Sequence, residues 1–157
     1  MSRDSIRLMD LYVYRQMEKE EIQFMLLKRS SGKIYAGQWR MIGGKVLPDE
    51  TTWQAALREL SEETGLSPKQ FWGVPTINHF YDSSRDRIHL IPAFAAEIAP
   101  DSVPVLDDEH EEYQWVNADE IDEYLVWPEQ IRIFHTIRRI LINDQLIDDW
   151  IIRTDTT

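Results

Sequence analysis

Residues 44–66 read Gly-Lys-Val-Leu-Pro-Asp-Glu-Thr-Thr-Trp-Gln-Ala-Ala-Leu-Arg-Glu-Leu-Ser-Glu-Glu-Thr-Gly-Leu. A loop opens at Gly43-Gly44 and a helix runs from near Thr51 to Gly65. Thr51 with Gln54 three residues on has capping-box spacing, and Gly65 suits the position just past a helix C-terminus. Glu59, Glu62 and Glu63 stand at i, i+3 and i+4, so three carboxylates share one helix face. They also gather toward the helix C-terminus, where negative charge opposes the macrodipole. Each like-charge pair costs roughly 0.2–0.5 kcal/mol, so stability alone would place Lys or Arg there. A divalent cation among them accounts for the pattern, because clustered carboxylate oxygens are hard ligands suited to Mg²⁺ or Mn²⁺. Without the surrounding spacing, the same glutamates would be read as a solvated acidic face.

That spacing is specific. The stretch resembles the Nudix box, G-x5-E-x7-R-E-U-x-E-E-x-G-U, with U a bulky aliphatic residue. Gly44, Glu50, Arg58, Glu59, Leu60, Glu62, Glu63, Gly65 and Leu66 fill every fixed position without a gap. The resemblance implies an α/β/α sandwich around a mixed sheet, and hydrolysis of a nucleoside diphosphate linked to another moiety. It implies that Glu59, Glu62 and Glu63 bind metal, with Glu59 and Glu62 foremost, helped by the carbonyl of Gly43 or Gly44. Divalent ions would neutralise the diphosphate oxygens, orient the substrate and acidify a bound water. Arg58 joins the catalytic set as a brace, since its guanidinium reaches Glu62 one turn on and relieves the carboxylate repulsion. Glu50 is expected to be a structural partner in the loop. Trp53, Ala56 and Leu60 belong to the buried side of the helix.

Outside the box, residues 107–112 read Asp-Asp-Glu-His-Glu-Glu, a second concentration of negative charge. Glu109-His110-Glu111-Glu112-Tyr113-Gln114-Trp115 resembles the E-H-x-x-Y-x-W stretch of the dihydroneopterin triphosphate and diadenosine tetraphosphate hydrolase branches. That resemblance singles out Glu109 as a further metal ligand or as the base for the attacking water, with His110 a hydrogen-bonding loop residue. The substrate's phosphates need cations, for which Arg40 and Lys45 rank first, followed by Arg29, Arg85 and Arg87. Trp39, Phe80, Tyr81 and Tyr113 are available to stack on a base. Tyr81 lies close to the tyrosine position associated with dinucleoside polyphosphate hydrolases. Ile42 stands where many family members carry a proline before the two glycines, and the arrays of NADH and coenzyme A pyrophosphatases are not evident.

The chain has 157 residues, enough for one domain with a sound core, and the whole of 1–157 is taken as that domain. It has no cysteine, which excludes disulfides, zinc–thiolate sites and a cysteine nucleophile. No apolar run approaches the roughly 20 residues of a membrane span, and Met1-Ser2-Arg3-Asp4 leads into mixed polar sequence, so a cytoplasmic protein is expected. The net charge of −11 disfavours an extended nucleic-acid partner but not a small polyphosphate arriving with its own cations. A monomer or homodimer acting on a small nucleotide is the expectation.

The remaining pattern is mixed. Residues 6–15 and 22–29 read as a hairpin of strands with a polar turn at 16–21, the second strand central. Trp39–Ile42 reads as one short strand feeding the box, and 71–81, 87–98 and 112–116 as further strands. Pro92 calls for an edge position or a bulge. Asn117 with Glu120 predicts a capped helix over 118–125. Pro128 opens a last helix, about 129–142, whose stripe is Ile131, Phe134, Ile137 or Arg138, and Leu141. The tail to Thr157 carries no clear pattern. Three functions fit: a Mg²⁺-dependent pyrophosphohydrolase of nucleoside triphosphates or a close analogue such as dihydroneopterin triphosphate; the same chemistry on diadenosine tetraphosphate, ADP-ribose or capped RNA; or a non-enzymatic nucleotide sensor, for which three clustered glutamates have no purpose.

Overall fold

The computed structural model describes residues 8–18 and 20–154. Seven strands form one mixed sheet: β1 (Leu8–Glu18), β2 (Glu21–Arg29), β3 (Trp39–Arg40), β4 (Ile42–Lys45), β5 (Gln70–Asp82), β6 (Arg87–Glu97) and β7 (His110–Asn117). Two α-helices, α1 (Thr52–Thr64) and α2 (Pro128–Ile142), cover its faces. The alternation within the strands decides which helix each residue meets. Leu11, Val13, Met25 and Leu27 point to the side of α1, where Ala55, Ala56 and Leu60 meet them. Tyr12, Tyr14, Phe24 and Leu26 point the other way, onto Ile133, Phe134, Ile137 and Ile140 of α2. The result is the expected α/β/α sandwich. No described helix is long and apolar enough to cross a membrane.

The connection that builds the site lies between β1 and β2. The two strands pair antiparallel near their shared turn, Tyr14 opposite Phe24 and Glu18 opposite Glu21. Further on they splay apart. β3 takes the freed edge of β2, with Leu27 opposite Arg40, while β4 takes the freed edge of β1, with Asp10 opposite Gly43. What the sequence suggested as one strand over 39–42 is therefore two, because its halves serve different neighbours. On its other edge β1 runs parallel to β6, and β2 runs antiparallel to β7.

Several expectations are corrected. The polar stretch 16–21 is mostly strand: β1 continues to Glu18 through a register shift after Gln16, since backbone pairing tolerates polar side chains at a solvated sheet end. The predicted start of that strand at Ile6 lies outside the described residues. Pro92 is not on an edge, because β6 has β1 and β5 on either side. It does lie at a bulge: Gly73 faces Phe94 and Ile77 faces Pro92, so β5 loops out where the proline lacks a donor. The segment after β7 is a 3-10 helix, Ala118–Glu123, and Asn117 does not cap it. Its amide oxygen accepts from Gln23 Nε2 at 3.1 Å instead. The stripe of α2 is Ile133, Phe134, Ile137 and Ile140, with Ile131 and Leu141 only flanking it. In the tail, Ile151 bridges to Trp72, and the Ile152 N–H donates to the Phe71 carbonyl at 2.8 Å.

Candidate active site

Helix α1 starts and stops as its sequence requires. Thr51 Oγ1 accepts from the Gln54 N–H at 3.2 Å, and Gln54 Oε1 accepts from the Thr51 N–H at 2.8 Å. Gly65 ends it in the left-handed conformation, φ +71°, which a side chain would resist. The helix is thus fixed at both ends, and the box carboxylates inherit that rigidity.

Arg58 organises them. Its Nε donates to Glu50 Oε2 at 3.0 Å and its Nη2 to Glu50 Oε1 at 2.7 Å, a bidentate pair. Nη1 reaches Glu59 at 3.0 Å and Glu62 at 3.3 Å, and Nη2 also meets the Lys45 carbonyl at 2.9 Å. One guanidinium therefore ties the helix to the glycine loop. Glu50 is held below the usual carboxylate range chiefly by Arg58, which marks it as the ionised partner expected for the loop. The three box glutamates differ in burial. Glu62 is solvent-exposed, Glu59 half-buried, and Glu63 is 3% exposed.

Glu63 is the most perturbed group of the site. Burial, reinforced by the charges of Glu59, Asp107 and Glu109, pushes its carboxyl up to about 9. Its Oε2 is buried with no hydrogen-bond partner. Its Oε1 stands 3.8 Å from Nε2 of His110, too far for a hydrogen bond. His110 is itself buried, and burial lowers its basicity, so the contact is not an ion pair at neutral pH. A carboxylate can only accept, so His110 donates from Nδ1 to Asp107 Oδ1 at 3.1 Å. Asp107 also accepts the Glu109 N–H at 3.2 Å, fixing the loop that presents Glu109. Ligand atoms of Glu63, Asp107 and His110 lie within 4.8 Å of one another.

These residues fit a divalent cation. A buried carboxylate oxygen without a partner and a set of hard oxygens facing one helix end are what such an ion would neutralise. The glycine loop fits as well. A Cβ on Gly44 would stand 2.8 Å from the Glu59 carboxylate, so a side chain there would displace Glu59 from its place against the loop.

A cleft of about 580 Å³ opens beside this face. It brings together Gly43, Gly44, Lys45, Glu63, Arg29 and Arg40 from among the residues singled out in the sequence. Arg29 Nη1 is 3.8 Å from Glu109 Oε2, joining the second acidic segment to the same end. Arg40 lies over the Tyr35 ring at 4.4 Å. Phe80 lines the cleft as well, but Tyr81 does not: its hydroxyl donates to Asp86 at 2.7 Å in the β5–β6 turn. Arg85 is likewise turned to Asp82 at 2.9 Å, Trp39 packs on Tyr124, and Tyr113 and Arg87 are outside the cleft. The hairpin end of β5 and β6 projects past the site, and this removes Tyr81 and Arg85 from it.

Sequence reasoning passed over Asp10, Asn78, Tyr35, Trp127 and Gln130, all of which line the cleft. Asp10 carried a signal, being a charge in the middle of an apolar strand. It is 5% exposed, and burial lifts its carboxyl to about 6 despite bonds from Asn78 Nδ2 at 2.9 Å and Tyr12 Oη at 3.3 Å.

The NUDIX domain profile matches residues 9–137. The chain is 29% identical over 123 residues to the oxidized purine nucleoside triphosphate hydrolase of Mus musculus, covering 72% of this chain and 69% of that one. It is 25% identical over 114 residues to the nucleoside triphosphatase NudI of Klebsiella pneumoniae, covering 68% and 81%. The crystal structure of a C. elegans Ap4A hydrolase superposes with a TM-score of 0.68 at 22% identity, over 87% of this chain and 97% of the other, and attests the shared fold. With a profile match spanning both flanks of the acidic helix and an unbroken box at its centre, this chain belongs to the NUDIX family of hydrolases.

Proposed function

We propose that the protein hydrolyses a nucleoside triphosphate, or a close analogue such as dihydroneopterin triphosphate, to the monophosphate and pyrophosphate, with Mg²⁺ or Mn²⁺. The observation that carries this reading is the convergence on one cleft of the glycine loop, the buried Glu63 and the cations Lys45, Arg29 and Arg40. The nucleoside triphosphate hydrolases among its relatives support the substrate class.

Glu59, Glu62 and Glu63, with the Gly43 or Gly44 carbonyl, would hold the divalent ions. When bound, the ions supply charge neutralisation at the phosphate oxygens and a more acidic water. Arg58, bonded to both, keeps Glu59 and Glu62 in place. Lys45, Arg29 and Arg40 bind and orient the polyphosphate. Water attacks one phosphorus, the bridging P–O bond breaks, and pyrophosphate departs with the electron pair. Glu109 is the base we assign to the proton of that water.

The test is a product assay with Mg²⁺ over the four ribonucleoside triphosphates, dihydroneopterin triphosphate, diadenosine tetraphosphate and ADP-ribose, run beside Glu62→Gln. Pyrophosphate release from a triphosphate, reduced about a hundredfold or more in the variant, is the expected result. Turnover confined to the bridged compounds would refute the substrate class. Full activity in Glu62→Gln would refute the metal site.

A further inference from the structure

The Glu63 end of the acidic face carries a nitrogen for which a magnesium ion has little use. His110, at the start of β7, faces Glu63, near the end of α1, and the two are only 5% and 3% exposed. The other three histidines are not buried: His79 and His135 are exposed, and His89 is partly so. The Nδ1–H of His110 is committed to Asp107 Oδ1 at 3.1 Å, so Nε2 keeps its lone pair. That lone pair stands 3.8 Å from Glu63 Oε1, and no hydrogen bond joins the two atoms. Glu63 Oε2 is buried with no partner either. Buried polar atoms are nearly always paired, so a set of acceptors left facing one another points to a cation among them. Two atoms each about 2.1 Å from one ion stand roughly 3.0–3.4 Å apart at angles of 90–109°, so a closure of about half an ångström would seat an ion against both.

We infer that His110 Nε2 and the Glu63 carboxylate bind one first-row transition ion, of the Zn²⁺ or Co²⁺ class, in preference to Mg²⁺. The inference rests on the hydrolase reading above only in placing a divalent ion at Glu63, and it names which ion that end takes. Imidazole nitrogen suits zinc and its neighbours, whereas Mg²⁺ favours oxygen and gives up its waters reluctantly. Glu59 and Glu62 bring only oxygen and remain suited to Mg²⁺. Asp107 is a positioning residue. A carboxylate that accepts the Nδ1–H of a ligating histidine fixes its tautomer, turns Nε2 toward the ion and raises its basicity. Asp107 is itself held, because it also accepts the Glu109 N–H at 3.2 Å. Ligand atoms of Glu63, Asp107 and His110 lie within 4.8 Å of one another, close enough for one ion to organise all three side chains. Solvent or a phosphate oxygen completes the coordination.

The test uses the metal-stripped full chain without nucleotide. Zn²⁺, Co²⁺ and Mg²⁺ are titrated separately, with binding read by calorimetry and by the rise in melting temperature, and for Co²⁺ also by its visible absorption. Zn²⁺ and Co²⁺ are expected to bind the wild type about tenfold or more tightly than Mg²⁺ does. His110→Gln keeps a donor for Asp107 but removes the imidazole. It should lose about tenfold or more in Zn²⁺ and Co²⁺ affinity and alter the Co²⁺ spectrum, while Mg²⁺ affinity stays within about threefold. Asp107→Ala should weaken Zn²⁺ by about tenfold or more with Mg²⁺ again within about threefold. His79→Gln changes an exposed histidine of the cleft and should leave the preference intact. Equal affinity for Zn²⁺ and Mg²⁺ in the wild type, a preference that survives His110→Gln, or one lost in His79→Gln overturns the assignment. Should His110→Gln fail to unfold cooperatively, Asp107→Ala decides, and unchanged Zn²⁺ affinity there overturns it. None of these readouts involves turnover, so a failure to release pyrophosphate would defeat the hydrolase reading and leave the ion assignment to the binding data alone.

Discussion

Glu63→Gln should make the metal-free protein more stable while destroying its activity. In the folded chain the Glu63 carboxyl is held neutral up to about 9, against 4.5 for an ordinary glutamate. Its raised value means the folded state keeps a proton that the unfolded state gives up. The native stability from this site is therefore fully present below 4.5 and is lost as pH rises from 4.5 to about 9. At neutral pH, some two and a half pH units above 4.5, the loss is about 3 kcal/mol at ~1.36 kcal/mol per unit. A glutamine of the same shape carries no proton to lose. Its advantage should be near zero at pH 4.5, grow with each pH unit, and level off above pH 9. For a domain of this size about 3 kcal/mol corresponds to roughly 6–12 °C in melting temperature. The assay is thermal or urea unfolding of both proteins in EDTA at several pH values, then with added Mg²⁺. Added Mg²⁺ should stabilise the wild type more than the variant, since the ion binds only the folded carboxylate cluster. A variant that melts with the wild type across the range, or whose advantage shrinks as pH rises, would refute the account of Glu63.

Three shorter predictions follow from the loop and helix. Gly44→Ala pushes the Glu59 carboxylate from its place, so kcat should fall about tenfold or more with a melting shift of only a few degrees; unchanged turnover would show that the close approach is incidental. Arg58→Ala strips a charged partner from Glu50, Glu59 and Glu62 and should cost about 2 kcal/mol in urea unfolding. Arg58→Lys should recover only part of this, because an ammonium cannot make the bidentate pair, and full recovery would argue against the brace. Thr51→Ala removes one half of the capping box and should cost about 1 kcal/mol, read by the same unfolding, with kcat unaltered.

The local parts of the site were legible in the sequence for physical reasons. Thr51, Gln54 and Gly65 set the ends of α1 through bonds within a few residues, so their spacing alone gave the helix. Helical periodicity put Glu59, Glu62 and Glu63 near one another, and i, i+4 reach put Arg58 beside Glu62. Spacing could not show that Glu63 is buried and Glu62 exposed, because that depends on Asp107 and His110, at the start of β7, packing against the helix end. Nor could it place Asp10 against Asn78, 68 residues away, or bring Gln130 to the same cleft. The first contact arises because β6 pairs with both β1 and β5, and the second because α2 packs on the sheet face, arrangements set between segments distant in the chain. Tyr81 shows the converse: an aromatic near the right position was carried past the cleft by a hairpin and bound to Asp86. The sequence by itself determined the acidic helix and its chemistry, since those interactions are local. Only the tertiary structure decided which carboxylate loses its water and which side chains face the substrate, since burial belongs to the packed whole.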